Sequence, residues 1–149
     1  MNPTVSPPWA YTLQLPHGPR APGIARATLR CVLASYGLAE LTPTIELMAA
    51  EMLNNAHLHT QDPYALRLRA AEPDRVRVSV WDSSPHLPPG FGSPLGQAPS
   101  GAAESGRGLH LVRACADAWG SDLLGDASGG KLLWAECGRT TDCQWGDLP

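Results

Sequence analysis

Several things are scarce in this sequence, and each scarcity removes a class of protein. The four cysteines (Cys31, Cys115, Cys137 and Cys143) are few for 149 residues, irregularly spaced and without a CxxC. Neither a disulfide framework nor a zinc ribbon is expected, and the thiols read as reduced. No apolar run approaches the roughly 20 residues a membrane helix needs. The first 22 residues are Pro-rich and lack the basic-then-apolar order of a secretory signal, so the cytoplasm is the expected location. Basic charge is also low: Lys+Arg number 11 against 14 Asp+Glu, for a net charge of -3. No general basic field invites nucleic acid. Lys131 is the only lysine, a skew that reads as genomic composition. With one phenylalanine in the chain, Trp81, Trp119 and Trp134 are expected to help fill the core.

Glycine and proline are plentiful, 15 of each, yet 43% of the residues are hydrophobic and the charge is small, so a folded chain is expected. Its length suits one domain. The breakers fall in two places. Six prolines lie in the first 22 residues, and eleven of the 24 residues over 85–108 are Gly or Pro. A loop of that length within a compact domain is functional or disordered.

Between the breakers the periodicity is readable. Residues 11–15 alternate as a strand. Residues 21–36 read as a helix stopped by Gly37. Thr42 is expected to cap a second helix over 42–59, with Pro43 in its first turn. Residues 64–70 and 75–81 alternate as a hairpin turned by Pro73 and Asp74. Residues 109–119 repeat apolar positions as a helix ended by Gly120. A last strand covers 131–136. This order predicts an α+β sandwich with helices on one face of the sheet.

Three short segments carry candidate chemistry. Glu51 and Asn55 are four residues apart on the second helix and share a face, which His59 continues. The Asn55 amide oxygen can ligate a hard cation such as Mg2+, and Glu51 can take a proton from a hydroxyl or water. In isolation such a pair is more often a solvated polar face. Asp82 ends its strand before Ser83, Ser84 and Pro85, where a carboxylate can accept a hydrogen bond from an exocyclic amine or simply start a turn. Gly106-Arg107-Gly108 precedes the Leu109 helix, whose free amides suit a phosphate. Arg107 either reaches that phosphate or faces solvent. His57 and His59 are two apart, so they point away from each other and cannot share a metal.

In this order, Glu51-Met52-Leu53-Asn54-Asn55-Ala56-His57-Leu58-His59 resembles the N-box of the GHKL ATPase superfamily, which includes gyrase, Hsp90, histidine kinases and MutL. Val80-Trp81-Asp82-Ser83-Ser84-Pro85 resembles its next box, and Glu104-Ser105-Gly106-Arg107-Gly108-Leu109-His110-Leu111-Val112 its glycine box. Within the superfamily, the tail Gly129-Gly130-Lys131-Leu132-Leu133-Trp134-Ala135 is most similar to that of single-domain anti-sigma factor serine/threonine kinases.

The resemblance covers roughly residues 21–136. It implies a two-layer Bergerat-type α/β sandwich with a mixed, mostly antiparallel sheet. Residues 1–10 would form a flexible arm, 11–137 an ATP-binding domain with a lid over about 85–106, and 138–149 a tail. ATP and Mg2+ would be the cofactors: Asn55 on the metal, Glu51 as catalytic base, Asp82 and Ser84 at the adenine, and Gly106, Arg107, Gly108 and Leu109 at the phosphates.

The implied partners are an anti-anti-sigma protein of the STAS type, a sigma factor and a second copy of the chain, with no nucleic acid and no membrane. Two departures stand out. Ser84 occupies the first glycine position of the box after Asp82, and no Thr follows the tail glycines, where Lys131 leads into Leu132 and Leu133. They leave room for a second reading, a non-catalytic ATP-binding module that regulates transcription by contact.

Overall fold

A computed structural model describes residues 8–71, 75–88, 115–124 and 129–138, together with Phe91 and Val112. Among these residues the elements run β1 (Ala10–Leu15), α1 (Ala21–Ser35), a short 3-10 turn (Ala39–Leu41), α2 (Thr42–His59), β2 (Tyr64–Ala70), β3 (Arg75–Asp82), β4 (Ala118–Leu123) and β5 (Lys131–Gly138). The strands form a five-stranded sheet in the order β1-β2-β3-β5-β4. All four pairings are antiparallel, so the parallel component expected of a mixed sheet is not found among the described residues. Both helices pack against this sheet, α2 chiefly on β3, giving the expected α+β sandwich.

The sheet has one dry face because its strands alternate in phase. Leu66 and Leu68 of β2 face Val80 and Val78 of β3, which in turn face Leu133 and Ala135 of β5. All six are buried. Ile45, Met48, Met52 and Ala56 of α2 cover them with no exposed surface. Each large side chain of that set contributes about 1.5–3 kcal/mol on leaving water. The opposite face carries the row Arg67, Ser79, Trp134 and Gly120, with Arg77 stacked 3.8 Å from the centre of the Trp134 ring. Trp81 and Trp134 thus lie half-buried outside the core, contrary to expectation, and of the three only Trp119 packs against it.

Helix ends follow local chemistry. At the end of α1 the Leu38 N–H bonds Leu33 O at 2.8 Å and the Gly37 N–H bonds Ala34 O at 3.2 Å, while Gly37 takes φ +72°. This double closure needs a left-handed residue, which explains the glycine. At α2 the expected Thr42 cap does not form: Thr42 is already helical and Leu41 is the cap residue without a side-chain bond. The 3-10 turn runs directly into α2, so the chain reaches Thr42 already coiled.

The largest correction concerns the helix expected over 109–119. Val112 and Cys115 are helical, but the Asp117 N–H bonds Glu136 O at 2.8 Å and β4 begins at Ala118. Gly120 does not end a helix. A Cβ there would come within 2.7 Å of the Trp134 ring, so glycine is needed for the ring to lie across β4. Cys115 is disulfide-bonded, against the expectation of reduced thiols, whereas Cys31 and Cys137 are free. Among the described residues no helix is long and apolar enough to cross a membrane.

Candidate functional site

Helix α2 buries one side on the sheet and turns the next side toward the site. Asn55 is 4% exposed, although it continues the Glu51 stripe and not the apolar arc. Its Oδ1 is buried with no hydrogen-bond partner. A buried carbonyl-type oxygen without a donor is costly, and native structures rarely keep one unless a ligand or ion completes it. Glu51, one turn earlier, is half-buried, and His59, one turn later, is exposed with its ring 5.4 Å from that of His86. His57 faces away, stacked 3.9 Å from the His17 ring and bonded through Nδ1 to the Tyr64 hydroxyl at 3.2 Å.

The second cluster gathers where β3 ends and β5 begins. Asp82 pairs in register with Lys131, so both side chains project to the same, core-facing side. Lys131 Nζ donates to Asp82 Oδ1 at 2.9 Å and Oδ2 at 2.8 Å, and to the Ser84 carbonyl at 3.3 Å. The Ser84 N–H donates to Asp82 Oδ1 at 2.8 Å. Lys131 is 0% and Asp82 1% exposed.

Backbone geometry fixes this arrangement. Gly130 has φ +71°, and a Cβ on it would fall 2.0 Å from the Asp82 carbonyl oxygen. The Trp81 indole N–H holds the Gly129 carbonyl at 2.7 Å. Asp82, expected to accept from an adenine amine, has its carboxylate bonded to the chain's own ammonium. Ser84 does stand beside Asp82, but it serves the pair through its backbone.

The exits of α2 and β3 are tied together. The Asp62 N–H donates to Thr60 Oγ1 at 3.0 Å, Thr60 lies 2.8 Å from Ser83 Oγ, and Ser83 Oγ donates to the Asp62 carboxylate at 3.0 Å. Since Ser83 spends its proton on Asp62, Thr60 donates to Ser83 and the three residues close a ring. Gly106, Arg107, Gly108 and Leu109, with all of the expected lid but residues 85–88 and Phe91, lie outside the described residues. So do the arm before Pro8, the Pro73-Asp74 turn and the tail. A cavity of about 250 Å³ between α1 and α2 is lined by Arg26, Leu29, Glu46, Leu53, Asn54 and His57 among others, and by none of the proposed nucleotide residues.

Lys131, the partner of Asp82, is the residue of this cluster that sequence reasoning missed. Its solitude among eleven cations was visible, but its place opposite Asp82, 49 residues away in sequence, depends on sheet register.

Comparison with known proteins agrees with the geometry. Residues 15–134 match the family described as the histidine kinase-like ATPase domain. An uncharacterized protein of Streptomyces coelicolor is 39% identical over 64 residues, which is 43% of this chain and 57% of that relative.

Proposed function

The chain belongs to the histidine kinase-like ATPase family, and on that premise we propose that it is an anti-sigma factor protein serine/threonine kinase. It takes a nucleoside triphosphate with Mg2+ against α2 and phosphorylates an anti-anti-sigma partner. The observation that carries this reading is the buried, unpartnered Oδ1 of Asn55 one turn from Glu51. A neutral amide oxygen suits Mg2+, which keeps most of its shell as water and phosphate oxygens. Asn55 would be the protein's contribution to holding the metal in this reading. Bound there, Mg2+ would neutralise charge on the triphosphate.

Glu51 serves as base in this reading. As the acceptor Ser or Thr oxygen bonds the γ-phosphorus, its proton passes to Glu51, and the bond to the β,γ-bridging oxygen breaks to release the diphosphate. Incubation with labelled ATP and candidate STAS-type partners tests this: wild type transfers label and Glu51→Ala does not. No transfer by either protein removes the kinase reading.

The Lys131–Asp82 pair favours a second reading, a module that binds nucleotide and regulates its partner by contact without transfer. Calorimetry with ATP and Mg2+ separates the two only together with the transfer assay, because binding without transfer is the signature of the second. A sigma factor, a second copy of the chain and a cytoplasmic location belong to the same proposal.

A further inference from the structure

Lys131 is compact, singular and saturated. Ten of the eleven basic residues are arginine, and the one lysine is the cation buried at the end of the core-facing row of β5. An ammonium has three protons and no acceptor, and its three contacts here, two to Asp82 and one to Ser84, use all of them. A planar five-donor guanidinium would not fit those contacts. Of the roughly four acceptor positions on a carboxylate, Asp82 uses three, two with Lys131 and one with the Ser84 N–H. Swinging Lys131 away would strand a buried anion, an expensive change. The Gly130 contact also leaves the β5 backbone no slack toward β3.

We infer that Lys131 is the standing occupant of the Asp82 carboxylate, so that the chain does not read the amino group of an adenine base and takes a Mg2+–triphosphate without selecting the base. This rests on the nucleotide reading above for the phosphate end, where Asn55 remains open, and departs from it at the base end. The substrate class becomes nucleoside triphosphates in general, distinguished by phosphate and metal.

Two measurements on the full-length protein test it. The first compares calorimetric binding of ATP and inosine triphosphate, which carries oxygen where adenine carries the amine, each with Mg2+. Wild type is expected to bind both within about threefold, and Lys131→Thr to favour ATP by at least about tenfold, one hydrogen bond's worth. A wild-type preference for ATP of about tenfold or more overturns the inference. So does a Lys131→Thr protein that binds both nucleotides and still fails to discriminate.

The second measurement needs no variant. Because the chain has one lysine, protein labelled with 15N-lysine gives one side-chain ammonium signal. That signal is expected to exchange slowly with water and to stay unchanged when ATP and Mg2+ are added. A fast-exchanging ammonium, or one released by ATP, overturns the inference. If no triphosphate binds wild type, Lys131→Thr or Asn55→Ala, the nucleotide reading fails, and with it the substrate class inferred here. The ammonium signal then decides only whether Lys131 occupies Asp82.

Discussion

Two buried polar groups sit in the candidate site and are treated in opposite ways. Asn55 on α2 keeps an oxygen with no donor, whereas Asp82 at the end of β3 has its carboxylate bonded by Lys131 and by the Ser84 N–H. A buried acceptor is normally satisfied by a donor, and here the chain itself supplies donors to Asp82 but none to Asn55 Oδ1. Each polar group is settled separately by its neighbours.

The largest expected effect breaks the filled end. Lys131→Met leaves the buried Asp82 without its cation and with only the Ser84 N–H, and should cost about 3–5 kcal/mol in urea unfolding, whereas Lys131→Met combined with Asp82→Leu should recover most of that loss. Recovery absent from the double variant would mean that the pair's partners matter more than its charge. Gly130→Ala should follow at about 2–3 kcal/mol, because φ +71° and the Asp82 carbonyl 2.0 Å from the new Cβ both oppose it. A loss under about 0.5 kcal/mol would show that the junction yields easily.

The other end of the same β5 row sharpens the contrast. The Cys137 thiol is pushed up to about 12, first by burial and then by the Asp117 carboxylate, with Arg75 opposing. Lys131 is buried with a partner, whereas Cys137 stays neutral because it is buried. Since the folded thiol holds its proton more tightly than the unfolded one, its stabilisation is complete below the ordinary value of 9.0 and is lost as pH rises toward about 12. Stability should fall by up to about 1.4 kcal/mol per pH unit over that window. Cys137→Ala should flatten the slope, which alkaline urea titrations would detect.

The smallest effect on stability belongs to the open end. Asn55→Ala removes an oxygen that bonds nothing and should change unfolding by less than about 1 kcal/mol while abolishing Mg2+–triphosphate binding. A large loss of stability, or retained binding, would erase the distinction between the two ends.

Local chemistry explains which parts were legible beforehand. Helix α2 spans the expected residues because Pro43 and the apolar arc act within a turn or two of each position. The core-facing rows of β2 and β3 are written in their alternation. The strand β4 was hidden, since Ala116 and Ala118 continue a helical spacing and Gly120 resembles a stop. Its true cause, the Trp134 ring, lies on another strand. The placements of Trp81 and Trp134 were misjudged for the same reason, because which face is dry depends on the partner strands. At the site, the Glu51–Asn55 face followed from helical geometry alone. The role of Lys131 did not, because it exists only once Asp82 and Lys131 stand in register.

The closed ring of Thr60, Ser83 and Asp62 gives the site a mechanical property. It rivets the last turn of the helix that carries Asn55 to the first residue beyond the strand that carries Asp82. A push on α2 is then a pull on the exit of β3.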